Sequence, residues 1–558
     1  MGGKRLSWAG AGLLLLGAKA PPPPPVAYSL GVADGHGLAV ELRFAGDRDG
    51  ETQIHLPDAW AGSKALWRGI SDLTVEGGRV SGEGADRTIR HRPGAPLVVR
   101  YRVASGGGGV EPSGEKARPT VDPDWFFFHG EGVFATVEGR ALGPATFRWG
   151  KIPAGWTAVS DLDHLRGRTT TADQVVESAA VGGKRLAVAI RIIGRAPLRV
   201  AIVGDWGFPA DALAERMARI MAAEHGFWGE PAGPFVVTLA PLAAEPGVIS
   251  STGTGRGDGF SLLSTPGFAL DQATRLLAHE YMHHWVPGLI GGQPEEGQAR
   301  EFWFSEGFDD YLTSRTLLGS GLWSFEDYLA DLNRVLLRYQ TSPARAATGA
   351  DIAAKFWEDQ NVEQIPYDRG HLLALAVDAR IRAASGGRKS LDDVLRAQRQ
   401  AARTAKLTGA PLFLATLKRV TGLDMTGEIL RTADGAAGPA LPADALEPCA
   451  RIEPRPRRAF SRGFDLAATQ AAHMSLRGVD PSGPAFAAGL RDNMRILKRE
   501  AGEIGDSTKE IAYRVEDAGV ERVIRYRPEG KETIVVQQAV PASSFDEGLC
   551  RRLLGGAR

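Results

Sequence analysis

The sequence predicts a multidomain protein. The expected parts are an N-terminal all-β sandwich or saddle, a central α+β domain and a small C-terminal β domain. Three observations carry this. The chain has 558 residues, and a single hydrophobic core stops growing at roughly 250–300 residues. Apolar and polar residues alternate through the first part, whereas helical periodicity takes over after Glu306. A stretch of prolines and charges then precedes a last segment rich in turn signals.

Residues 1–25 read as an export segment followed by a stiff spacer. Lys4 and Arg5 give a positive start, Leu6 to Gly17 is an apolar run, and Ala18-Lys19-Ala20 resembles a cleavage site. The run is too short for a comfortable membrane span. Pro21 to Pro25 form the spacer. Proline directly after the cleavage point disfavours a cut there, so a retained anchor stays open as an alternative. Membrane attachment is expected only if the segment is uncleaved. The expected location is periplasmic or secreted.

Residues 26–173 form the expected β domain, with clear alternation in Leu38–Phe44 and Leu97–Val103. The run Trp125-Phe126-Phe127-Phe128 reads as core or as an interface between domains. Residues 174–440 mix strands, such as Val200–Gly204 and Phe235–Leu239, with long helices, beginning with the amphipathic Ala210–Glu224. Strands before residue 270 and helices after it give an α+β order. A linker is expected at 441–458, a small domain at 459–545 and a tail at 546–558. Cys449 and Cys550 flank that small domain. One bridge tying its ends together and two free thiols are both open readings. With 66 basic and 66 acidic residues, the chain carries no electrostatic footprint for nucleic acid.

The chemistry concentrates in three motifs. His279-Glu280-Tyr281-Met282-His283 is an H-E-x-x-H pattern in a helical context. Residues four apart share a helix face, so both imidazoles reach one metal ion. Glu280 stands beside them, placed to handle a proton of a water at the metal. The second motif is Phe302-Trp303-Phe304-Ser305-Glu306-Gly307-Phe308-Asp309-Asp310. Its aromatic residues would bury a helix against the first and turn Glu306 inward as the third ligand. Ser305 is expected to cap that helix, with Asp309 and Asp310 suiting its first turn. Asp310 lies four residues after Glu306, where a carboxylate would steady a ligand imidazole through its other nitrogen. The third motif is Tyr367-Asp368-Arg369-Gly370-His371 at the head of a helix.

H-E-x-x-H followed by W-F-S-E-G-F resembles the gluzincin metallopeptidases. The chain looks most like their glycyl aminopeptidase family, metallopeptidase family 61. That resemblance implies a thermolysin-like catalytic domain, a C-terminal PDZ-like domain and one zinc ion held by His279, His283 and Glu306. It implies that Glu280 is the general base and that Tyr367 stabilises the oxyanion. His371 is read first as a structural histidine, with a place at the substrate cleft as the other reading. Relatives hold the substrate amine with a glutamate on a Gly-rich edge strand. Here Gly253-Thr254-Gly255-Arg256-Gly257-Asp258-Gly259 has no glutamate, so Gly257 and Asp258 stand as substrate-binding candidates, with a flexible surface loop as the equal alternative. Arg462-Gly463-Phe464-Asp465 resembles the carboxylate-binding loop of PDZ domains, which implies a C-terminal peptide ligand. The implied activity is release of small N-terminal residues, glycine or alanine, from peptides. An endopeptidase with the same zinc site is one rival. A peptide-binding adaptor with an idle catalytic domain is the other.

Overall fold

The computed structural model describes residues 24–33, 37–106, 117–243, 251–256, 258–292, 294 and 297–556. The expected export segment and Gly257 lie outside these residues.

The N-terminal region is β-rich. Gly37–Ala45 pairs antiparallel with Val26–Ala33 on one side and with Pro96–Ala104 on the other. Its alternation sets its faces: Leu38, Val40, Leu42 and Phe44 are buried, while Ala39 and Arg43 are exposed. A separate four-stranded sheet contains Thr157–Ser160, Ala179–Gly183, Trp125–His129 and Thr120–Val121. The strand Ala179–Gly183 carries this region past the expected boundary at 173, because it pairs with Trp125–His129. The aromatic run in that strand serves both sides. Phe126 and Phe128 enter the N-terminal core. Phe127 packs with Val203, Val236 and Leu263 of the next region.

The central region starts from a five-stranded sheet. Ala196–Ile202 and Phe235–Pro241 run parallel and are connected through the helix Ala210–Trp228. Parallel neighbours require such a crossover. The sheet ends at the edge strand Ser251–Arg256. The helices that follow pack on it through a large apolar core.

The C-terminal module has a three-stranded sheet of Arg495–Ala501, Ile511–Asp517 and Val520–Tyr526 with its own apolar core. A long antiparallel arm, Ala450–Phe460 with Glu529–Pro541, joins it to the rest. Half of the expected linker is thus strand. The arm's base belongs to the core of the central region through Ala450, Ile452 and Ala539. Two amides of the helix Phe325–Thr341 clamp the arm. Asn333 donates to Ala539 O at 2.9 Å and accepts from Ala539 N at 2.7 Å. Gln340 does the same at Gln537, at 3.2 and 2.7 Å. Cys449 and Cys550 are bridged, closing 101 residues of sequence separation. The loop Arg462–Asp465 leads into the helix Leu466–Ala471, which Asp465 caps by accepting from Ala468 N at 3.0 Å. A short helix forms at Pro484–Ala487, and residues 478–480 carry no strand. Among the described residues, no helix is long and apolar enough to cross a membrane.

Candidate metal centre

Three helices and the edge strand frame the centre. The helix Leu270–Met282 buries Leu277, Ala278 and Tyr281 and so fixes its polar face toward a cleft. Its regular part stops at Met282, yet His283 keeps right-handed helical backbone at φ −57° and ψ −19°. The i, i+4 relation survives, and the rings of His279 and His283 lie 4.6 Å apart. Val286 and Pro287 then take the chain out of helical geometry.

Glu306 sits at a joint between the helices Phe302–Ser305 and Gly307–Gly319. Ser305 was expected to cap the second helix. It is instead the last residue of the first, because backbone bonding runs straight through the joint. Glu306 N donates to Phe302 O and Asp310 N to Glu306 O, each at 2.9 Å. Two glycines bring the third helix, Gln360–Ser385, against this joint. A Cβ on Gly307 would stand 2.4 Å from Gly370 Cα, and one on Gly370 would stand 2.0 Å from Trp303 O. Backbones this close need glycine at both positions. The contact places Tyr367 over the site, its ring 6.0 Å from that of His279.

The side chains converge. Nε2 of His279 and Nε2 of His283 each lie 3.4 Å from Glu306 Oε2. Ligand bonds of 2.0–2.2 Å in tetrahedral geometry give edges of about 3.4 Å, so both edges to Glu306 match those of a zinc site. Asp309, with both histidines, is a second conceivable donor set, since one atom from each lies within 4.8 Å of the others. Its oxygens, however, face the Nδ1 atoms, at 3.1 Å from His279 and 3.2 Å from His283. His283 Nδ1 also faces Val286 O at 2.8 Å, and His279 Nδ1 faces Asp310 at 2.9 Å. Asp309 is fully buried, whereas Glu306, Glu280 and Tyr367 line an open cleft. The Nε2 side is therefore where an ion can be held and still meet substrate. Asp309 and Asp310 orient the rings from behind. Arg275 in turn holds Asp310 at 2.9 Å and Asp331 at 3.1 Å.

Electrostatics follow from this crowding. Burial opposes charge on the imidazoles, but the carboxylates outweigh it. Asp309 and Asp310 hold His279 well above its ordinary range, and Glu306 with Asp309 pushes His283 up to about 10. Burial alone would raise Glu306, yet the two imidazoles pull it below the usual carboxylate range. Burial, with Glu306, Glu280 and Asp310 nearby, holds the Tyr367 phenol well above its usual range, so it keeps its proton.

The substrate-binding candidates fare differently. The Asp258 carboxylate points to His164 at 3.4 Å and Gln174 at 3.5 Å and does not line the cleft. The hairpin between Ser251–Arg256 and Gly259–Ser264 turns it toward the N-terminal region. The strand's contribution to the cleft is Ser251, Thr252, Gly253 and Thr254, and a Cβ on Gly253 would meet Glu280 Cγ at 3.1 Å. His371 is buried against Tyr311, with ring centroids 5.6 Å apart, and does not reach the cleft either. One helical turn past Tyr367, it points into the protein. Arg369, the basic residue of that motif, is structural: it donates to Ala433 O at 2.9 Å and Ala347 O at 2.7 Å. The ring-orienting role of Asp309 and the place of Arg275 were not anticipated. Both lie at helical spacing from a residue of the converging set, Asp309 three after Glu306 and Arg275 four before His279, which is the available signal.

Residues 272–372 match the family model described as M61 glycyl aminopeptidase. An aminopeptidase N family protein from Idiomarina loihiensis is similar in structure over 96% of this chain and 100% of its own, at 16% identity and a TM-score of 0.67. An M1 zinc metallopeptidase from Deinococcus radiodurans matches 75% of this chain and 95% of its own, at 16% identity and a TM-score of 0.48. No curated protein matches the sequence.

Proposed function

We propose, from the premise that the chain is a metallopeptidase of the glycyl aminopeptidase family, that it is a zinc aminopeptidase releasing glycine or alanine from peptide N-termini. The observation that carries this reading is the pair of 3.4 Å edges from both Nε2 atoms to Glu306 Oε2. His279, His283 and Glu306 would hold one zinc ion, which when bound polarises the scissile carbonyl and acidifies a water. Glu280 accepts the proton of that water and passes it to the departing amine. Tyr367 donates its O–H to the developing oxyanion. Asp309 and Asp310 keep the ligand rings aligned. Thr252, Gly253 and Thr254 form the strand edge against which a substrate backbone would lie.

The catalytic domain is read as thermolysin-like and the C-terminal module as PDZ-like, with residues 459–545 as its extent. An export segment at residues 1–25 would deliver the protein to the periplasm or outside the cell, and the Cys449–Cys550 bridge suits such an oxidising place. Peptides with free and with acetylated N-termini test the reading. Zinc-dependent hydrolysis of the free forms alone is expected. Equal hydrolysis of both would make the enzyme an endopeptidase, and zinc binding without any hydrolysis would make it an adaptor.

A further inference from the structure

The cleft at the metal centre measures roughly 2480 Å³. Sites for small molecules are usually about 300–1,000 Å³, so it is larger than one terminal residue needs. Its floor is a stripe of the helix Phe325–Thr341: Asp327, Asp331, Arg334, Arg338 and Thr341 all line it at helical spacing. That stripe is about 20 Å long at 1.5 Å per residue, the span of about six extended residues. The far wall belongs to the C-terminal module, and the same helix clamps that module through Asn333 and Gln340. Metal centre and far wall are thus held in fixed register.

The far wall has two features that a scaffold does not require. Arg462 and Arg499 line it, and neither has a carboxylate partner among the described residues. Arg462 instead lies over the ring of Phe460, 5.4 Å from its centroid, and hydrogen-bonds the Tyr513 side chain. The neighbouring charges of the module behave otherwise: Lys509 is paired with Glu503 at 2.6 Å. The wall also exposes Val535 at 66% and Ile504 at 41%, and Trp357, 73% exposed, lines the cleft from the catalytic region. Apolar side chains and guanidiniums without a carboxylate partner in one cleft suit a chain end with apolar side chains and a terminal carboxylate.

We infer that the C-terminal module is part of the substrate site: Arg462 and Arg499 hold the C-terminal carboxylate of an oligopeptide whose amino end lies at the metal centre. Trp357, Ile504 and Val535 contact its intervening side chains. The enzyme would then select short peptides of about six residues with a free carboxylate. This rests on the peptidase reading above, so the test reads binding apart from turnover.

The probe is an apolar hexapeptide with N-terminal alanine, made as the free acid and as the C-terminal amide. Its dissociation constants are measured by calorimetry on full-length protein carrying Glu280→Gln. The acid is expected to bind roughly tenfold more tightly than the amide, the scale of a charge-assisted hydrogen bond. Adding Arg462→Gln and Arg499→Gln should close that gap while amide binding stays unchanged. Equal affinities of acid and amide on the Glu280→Gln protein would overturn the inference, whatever the double variant does. So would a gap that persists without the arginines. Hydrolysis of alanine p-nitroanilide, which lacks a carboxylate, reports separately on the peptidase reading and should be unaffected by the two arginine changes.

Discussion

The two walls of the cleft are built on opposite principles. On the metal side, His279 is 6% exposed and Asp309 is sealed from solvent, and each ring is gripped by carboxylates from behind. On the far side, Arg499 and Val535 stand exposed and face open space. The first wall is preorganised, as bond-making chemistry demands, since a small displacement of a reacting group costs orders of magnitude in rate. The second is suited to recognition, where contacts form only when a ligand arrives. Changes on the metal side should therefore alter turnover or metal retention, while changes on the far side should alter only which peptides bind.

The largest break should come from Glu280→Gln. Turnover should fall about 10³-fold, within the range for loss of a general base. Zinc content, read by plasma mass spectrometry, should stay at one ion, because Glu280 is not a ligand. Next, Tyr367→Phe should lower kcat by about 10²-fold with little change in KM, as expected for a donor that acts on the oxyanion. Steady-state kinetics on alanine p-nitroanilide would show it. If KM moved instead of kcat, Tyr367 would belong with the recognition wall.

Asp309→Asn should weaken zinc binding by about 10-fold to 100-fold, the usual cost of removing an orienting partner. Competition with a chelator measures it. The smallest effect concerns pH. Zinc needs neutral rings, and in the metal-free protein the carboxylates keep His279 and His283 protonated, the latter up to about pH 10. Zinc uptake near neutral pH must therefore release protons, and zinc affinity should rise as pH increases toward 10 and fall toward acid. Calorimetry in buffers of different ionisation enthalpy counts the protons. Uptake without proton release would show that the rings are already neutral.

The contrast also explains what the sequence could disclose. The convergence of His279, His283, Glu306, Asp310 and Tyr367 was legible because the motifs set these residue types at helical spacings that share a face. The β-rich start and the α+β order were legible from periodicity. Asp258 was misread because a hairpin turn redirects it toward His164, and turn direction leaves no periodic trace. Of the two readings of His371 the structural one holds, because one helical turn separates the cleft position of Tyr367 from a buried one. Ser305 was read as a cap because the sequence does not show that backbone bonding continues through Glu306. Gly307 and Gly370 were visible as glycines, but their mutual contact is a property of two helices 63 positions apart in sequence. The far wall was illegible because Arg462, Arg499 and Val535 meet the cleft only through the docking of a separate module by Asn333 and Gln340.

The most direct test is a crystal structure of zinc-loaded protein with anomalous diffraction recorded at the zinc edge. The account predicts one peak about 2.0–2.2 Å from Nε2 of His279, Nε2 of His283 and a carboxylate oxygen of Glu306, facing the cleft. A peak on the opposite side of the rings, bound through the Nδ1 atoms and Asp309, would contradict it.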